Sequence, residues 1–145
     1  MDFERGIKAG FFAGITVGII SGIIGTVSVV SSGFVNIQEA FLFESIIRLV
    51  SNFLSSMIFG IINGVFIAVL FVYFYNKIPG KKNITKALFI TFTFVAMRFI
   101  ISEGFVMFAG FSNLLALVPY FALDIAIQGL LIGYFWDNPV KLKKI

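Results

Sequence analysis

From Ala9 to Val30 the chain carries no charged residue. A helix over that run rises about 33 Å, enough to cross a hydrocarbon core roughly 30 Å thick. Ser55–Tyr75 is likewise uncharged and holds one Asn. Two further runs are nearly as apolar: 87–108, broken by Arg98 and Glu103, and 114–136, broken by Asp124 and Gln128. Such runs are too long for ordinary core helices, and the rest of the chain supplies little polar surface to cover them. The protein is 59% hydrophobic and 12% charged, with 20 Phe, and its mean hydropathy is +1.05. Soluble domains are nearer a quarter charged.

The pattern predicts an all-α integral membrane protein, a four-transmembrane-helix bundle in one membrane domain over 1–145. Its helices are expected at about 7–30, 54–76, 85–108 and 114–136. Ser31-Ser32-Gly33, Asn76 to Gly80, Gly110 to Asn113 and Asn138-Pro139 punctuate them. The first helix begins with mixed charge and has an apolar run about twice the length of a signal core, so it is expected to be retained. Arg5, Lys8, Lys77, Lys81, Lys82, Lys86, Lys141, Lys143 and Lys144 all fall on one side of four spans. The positive-inside rule then puts both termini in the cytoplasm of a multi-pass plasma-membrane protein. Tyr73, Tyr75, Tyr134 and Trp136 belong to the aromatic belt on that side. The basic residues are scattered through short loops, so they read as topology and no nucleic-acid partner is expected.

Between the first two spans, Glu44, Arg48, Ser51, Asn52 and Ser55 recur at spacings of three and four among Phe, Ile, Val and Leu. This predicts an extracytoplasmic amphipathic helix at about 37–53, lying at the outer interface or running on into the second span.

Glycines mark the packing faces. Gly6, Gly10, Gly14, Gly18 and Gly22 recur every fourth residue, and Gly60/Gly64 and Gly129/Gly133 form two GxxxG pairs. Helices in lipid associate through close backbone contact, which small residues permit. Each four-residue step turns about 40° further round the helix, so five glycines sweep about 160°. That arc is wider than one straight partner covers, and it predicts a first helix with two or more neighbours. Lys8-Ala9 against Lys86-Ala87, and Ile62-Asn63-Gly64 against Ile127-Gln128-Gly129, resemble a duplicated hairpin. Such matches arise easily in low-complexity membrane sequence.

The chain has no Cys and no His. That removes thiolate and imidazole metal sites, cysteine nucleophiles and Ser-His-Asp triads. No phosphate-binding glycine loop occurs outside a span. No enzyme activity, cofactor or metal is expected.

The residues that could carry function are the polar ones inside spans: Arg98, Asp124, Glu103, Asn63 and Gln128. Ionisable groups at that depth are costly and mark functional or pairing sites. Counted from Lys86 and Trp136, Arg98 and Asp124 both lie about 18 Å deep, where they could pair. Asn63 lies at similar depth, Gln128 is one turn from Asp124, and Glu103 is nearer the outer surface on another face.

Two roles follow. In the first, the charges are internal glue, and the protein is a non-enzymatic packing or assembly component. It would form a homo-oligomer or join another membrane protein in the lipid bilayer through its glycine-zipper faces. In the second, it is a small-molecule or ion transporter or channel with a mid-membrane Arg-Asp site.

Overall fold

The computed structural model describes residues 2–31, 43–103 and 111–139. Among them are four helices and no strand: α1 (Phe3–Ser31), α2 (Phe43–Phe74), α3 (Asn83–Glu103) and α4 (Phe111–Asp137). Two are long and apolar enough to cross a membrane, over Phe3–Val27 in α1 and Ile46–Phe74 in α2. Asn83–Met97 of α3 is a shorter apolar stretch.

α1 starts cleanly. The Asp2 carboxylate accepts the Arg5 backbone N–H at 3.0 Å, capping a free donor of the first turn. α2 is longer than the predicted second span, because the amphipathic segment from Phe43 onward is its beginning and no separate helix. Positions 37–42 lie outside the described residues. No Gly or Pro falls between Phe43 and Phe59, so nothing stops helix propagation there. α2 ends where the Phe74 carbonyl accepts from both Lys77 and Ile78, tightening the last turn. The chain then reverses through Gly80, whose φ of +128° is open to glycine and strained for other residues.

α1 and α2 are antiparallel and make the most extensive contact in the molecule. The glycine stripe of α1 lies on α2 along its whole length. Gly6 meets Val72 and Ala68, Gly10 meets Gly64, Gly14 meets Gly60, Gly18 meets Met57, and Gly22 meets the Phe53 ring. A Cβ on Gly14 would lie 2.5 Å from the Gly60 carbonyl oxygen, and one on Gly60 would lie 2.6 Å from that of Gly14. One partner therefore covers the arc expected to need several. The reason is that the facing residues of α2 also recur about every four positions, so both stripes drift together and contact persists if the pair coils. α1 does have a second neighbour. Gly6 touches Trp136 of α4, and Phe12 packs on Phe135 with ring centroids 5.8 Å apart. The GxxxG pair of α4 serves α3: Gly129 faces Leu88 and Gly133 faces Ile84.

The dry core sits toward the end that carries Arg5, the α2–α3 turn and Trp136, called here the basic end. Ala13, Ile67, Ala68, Phe71, Val72, Ile78, Ala87, Ile90 and Ile132 are buried together. Phe71 makes edge contacts with Tyr75 and Trp136 at 5.4 and 5.2 Å. Polar bonds lace this end. The Arg5 Nε donates to the Trp136 carbonyl at 2.6 Å, and the guanidinium lies 5.1 Å from the Trp136 ring centroid. Lys86 donates to the Tyr75 carbonyl. The Tyr75 hydroxyl donates to the Asn83 side-chain oxygen, and the Asn83 amide donates to Asp137. One asparagine thus ties the ends of α2 and α4 to the start of α3. Replacing it (Asn83→Ala) should cost about 1–2 kcal/mol, the worth of two partly exposed hydrogen bonds. Thermal unfolding in detergent measures this, and an unchanged midpoint would show that the ties add nothing.

The outer faces are apolar. Ile46, Val50, Leu54, Ile58, Phe59, Ile62 and Phe66 of α2 are all exposed, as are Ile7, Phe11, Ile19 and Ile23 of α1.

Candidate functional site

Away from the basic end the interior changes character. Between α1, α2 and α4 lies a cavity of about 490 Å³. α1 contributes Val17, Ile20, Ser21 and Ile24. α2 contributes Asn52, Ser55, Ser56, Phe59, Gly60 and Asn63, and α4 contributes Asp124, Ile127 and Gln128. The volume lies within the range of small-molecule pockets, and the lining has their usual make-up of apolar walls with a few polar groups.

Helix geometry explains the lining. On α2, Asn52, Ser56 and Asn63 share a face at spacings of four and seven, and Phe59 and Gly60 fill the turn between. Gly60, closed against the α1 backbone at Gly14 and Gly18, borders the cavity where the two helices meet. Asp124 and Gln128 lie one turn apart on α4 and reach the cavity from the other side. Gln128 is 2% exposed, so its amide sits deep. Among the described residues no side-chain hydrogen bond ends on Gln128 or Asn63, and no fully enclosed side-chain polar atom lacks a partner. The polar tips of these two amides therefore open on the cavity. A polar group sealed away without a partner would cost about 1–3 kcal/mol, a reason for them to stay where a guest or water can reach them. Asp124 is half-buried and has an interaction partner. The Ser56 hydroxyl donates to the Asn52 carbonyl at 2.9 Å, leaving its lone pairs toward the cavity as acceptors.

Three of the five expected polar residues, Asn63, Asp124 and Gln128, thus meet at one cavity. Arg98 and Glu103 lie on α3, and their side chains are outside the described residues. Helix register bears on the expected pairing. Leu88 is level with Gly129 and Ile84 with Gly133, so along straight helices Arg98 falls level with Pro119. That puts its backbone about 7 Å further from the basic end than Asp124, where equal depth was expected. Lys86 sits level with Leu131, about one and a half turns further along than Trp136, and the expected pairing itself turns on the Arg98 side chain, outside the described residues.

Asn52 and Ser55 were read from sequence as part of the polar face of an amphipathic helix, and the structure sets them, with Ser56, on the cavity. The signal was available, since they continue the helical face of Asn63. Ser21 of α1 lies on the same cavity. Comparison with known protein families, curated proteins and solved structures finds nothing that matches this chain.

Proposed function

We propose that the protein is an integral membrane four-helix bundle that binds a small polar solute or ion in its interior, as the binding step of transport or permeation. Both termini and the α2–α3 turn lie on the cytoplasmic side in this reading, because the basic residues gather there. The observation that carries the proposal is the inverted distribution of polarity along α2. Ile46, Ile58, Ile62 and Phe66 along its length face outward while Asn52, Ser56 and Asn63 face a cavity shared with Asp124 and Gln128. A helix surrounded by water would place these groups the other way round. Carboxylate, amide and hydroxyl groups inside a lipid-facing bundle suit a polar guest.

The assembly reading has less surface to use. The α1 stripe and the Gly60/Gly64 pair contact each other, and Gly129 and Gly133 contact α3. Oligomerisation through these faces would require the helix pairs to part.

The natural absence of cysteine makes the test direct. Single cysteines at Ser55 and Asn63 in intact membranes should react with an impermeant maleimide added from the side opposite the basic end. Cysteines at Ala68 and Ile132, both fully buried, should stay unreactive from either side. Silence at Ser55 and Asn63 from both sides, with loop positions labelled, would mean a dry network and would return the assembly reading to first place. A second expectation concerns the guest. Gln128→Leu should keep the fold, since it removes a buried amide, and should abolish solute protection of the Asn63 cysteine from maleimide. Protection that persists in this variant would remove Gln128 from the site.

A further inference from the structure

A second concave surface lies at the basic end, away from the polar cavity. Thr85, Leu88, Phe89 and Phe92 share one face of α3, and the Pro79–Gly80 turn folds over its top. Together they bound an apolar niche of about 540 Å³. Phe89 and Phe92 are 46% and 59% exposed. The turn lies close against α3, since a Cβ on Gly80 would lie 3.2 Å from the Thr85 methyl. Lys81 and Lys82 are both exposed, and they lie in the chain between Gly80 and Thr85, at the niche's rim. Lys86 is engaged with Tyr75, and Lys8 pairs with Glu4. Among the described residues no ion pair is formed by Lys81 or Lys82.

We infer that this niche holds one anionic phospholipid, with an acyl chain along Leu88, Phe89 and Phe92 and the phosphate at Lys81 and Lys82. The inference rests on the membrane reading above and is independent of the polar cavity. An apolar trough that ends in two unengaged ammonium groups matches a molecule with a hydrocarbon tail and a negative head. A zwitterionic lipid fills the trough equally well and gains less from the lysines. Each lysine near a charged membrane surface is worth roughly a fivefold preference.

The full chain with Phe92→Cys, labelled with a bimane fluorophore, would be reconstituted into phosphatidylcholine vesicles. These would contain either phosphatidylglycerol or phosphatidylcholine with a nitroxide on the acyl chain. Phosphatidylglycerol should quench the bimane at position 92 with at least about threefold stronger association, and a Phe66→Cys reporter on α2 should show no preference. Lys81→Gln with Lys82→Gln should abolish the preference. Lys8→Gln with Lys77→Gln removes as many charges at the same end and should leave it. Equal quenching of the position-92 reporter by the two lipids would overturn the proposal. So would an equal loss in the Lys8/Lys77 variant, which would mean diffuse attraction without a site. Absence of quenching by either lipid at both reporters would overturn the membrane reading along with it.

Discussion

Gly14→Leu should leave almost no folded protein. Even the first carbon of the new side chain would lie 2.5 Å from the Gly60 carbonyl oxygen and 2.7 Å from the Ile61 Cα. Both are backbone atoms, so no side chain can swing aside to make room. The helices would have to separate, and the contacts of Gly10 with Gly64 and of Gly18 with Met57 lie about one turn away on either side. Overpacking in a closed core costs about 1–3 kcal/mol, and a backbone clash at the centre of the longest interface belongs at or above the top of that range. Gly25→Ala is the matched control. Its added carbon would meet the Asn52 amide nitrogen at 3.1 Å, the mobile tip of a side chain. Size-exclusion profiles and thermal unfolding in mild detergent compare the two. A Gly14→Leu protein that elutes and melts like the parent would refute the α1–α2 packing described above.

Phe71→Ala is expected to act twice. The side chain is fully buried, and its ring edges onto Tyr75 and Trp136. Removing it should cost about 3–5 kcal/mol in stability. The second effect is on access. Phe71 lies about two helical turns from Asn63 toward the basic end, in the dry layer with Ile67 and Ile132. Thinning that layer should let an impermeant maleimide reach an Asn63 cysteine from the basic end, a route the parent is expected to block. An unaltered melting temperature would deny Phe71 its place in the core. Full destabilisation with unchanged sidedness of labelling would show that the seal lies elsewhere.

The helices were legible because uncharged runs and their Gly, Asn and Pro punctuation are local signals. The start of α2 was less so. Asn52, Ser55 and Ser56 define a polar face by spacing, but spacing does not say whether that face meets water outside or a cavity inside. In the proposed membrane setting the usual inference is reversed, since the apolar face of such a helix can point outward. The glycine stripes announced close contact, yet nothing in their period names the partner. α2 became identifiable only when Phe53, Met57, Gly60, Gly64, Ala68 and Val72 were seen to follow the same drift. Asn63, Asp124 and Gln128 were found by depth alone, which works when two helices share a reference level.

The glycine repeat has one more consequence. A ladder of identical rungs carries no information about which rung should meet which. Sliding α2 by one four-residue step, about 6 Å, would again set small residues against small residues along the middle of the pair. What distinguishes the observed seating is the material at its two ends, where Val72 fills the space beside Gly6 and the Phe53 ring covers Gly22. The smooth middle makes the approach close, and the two bulky stops make it unique. A chain with Phe53 and Val72 trimmed to alanine would keep its adhesive surface and lose its address.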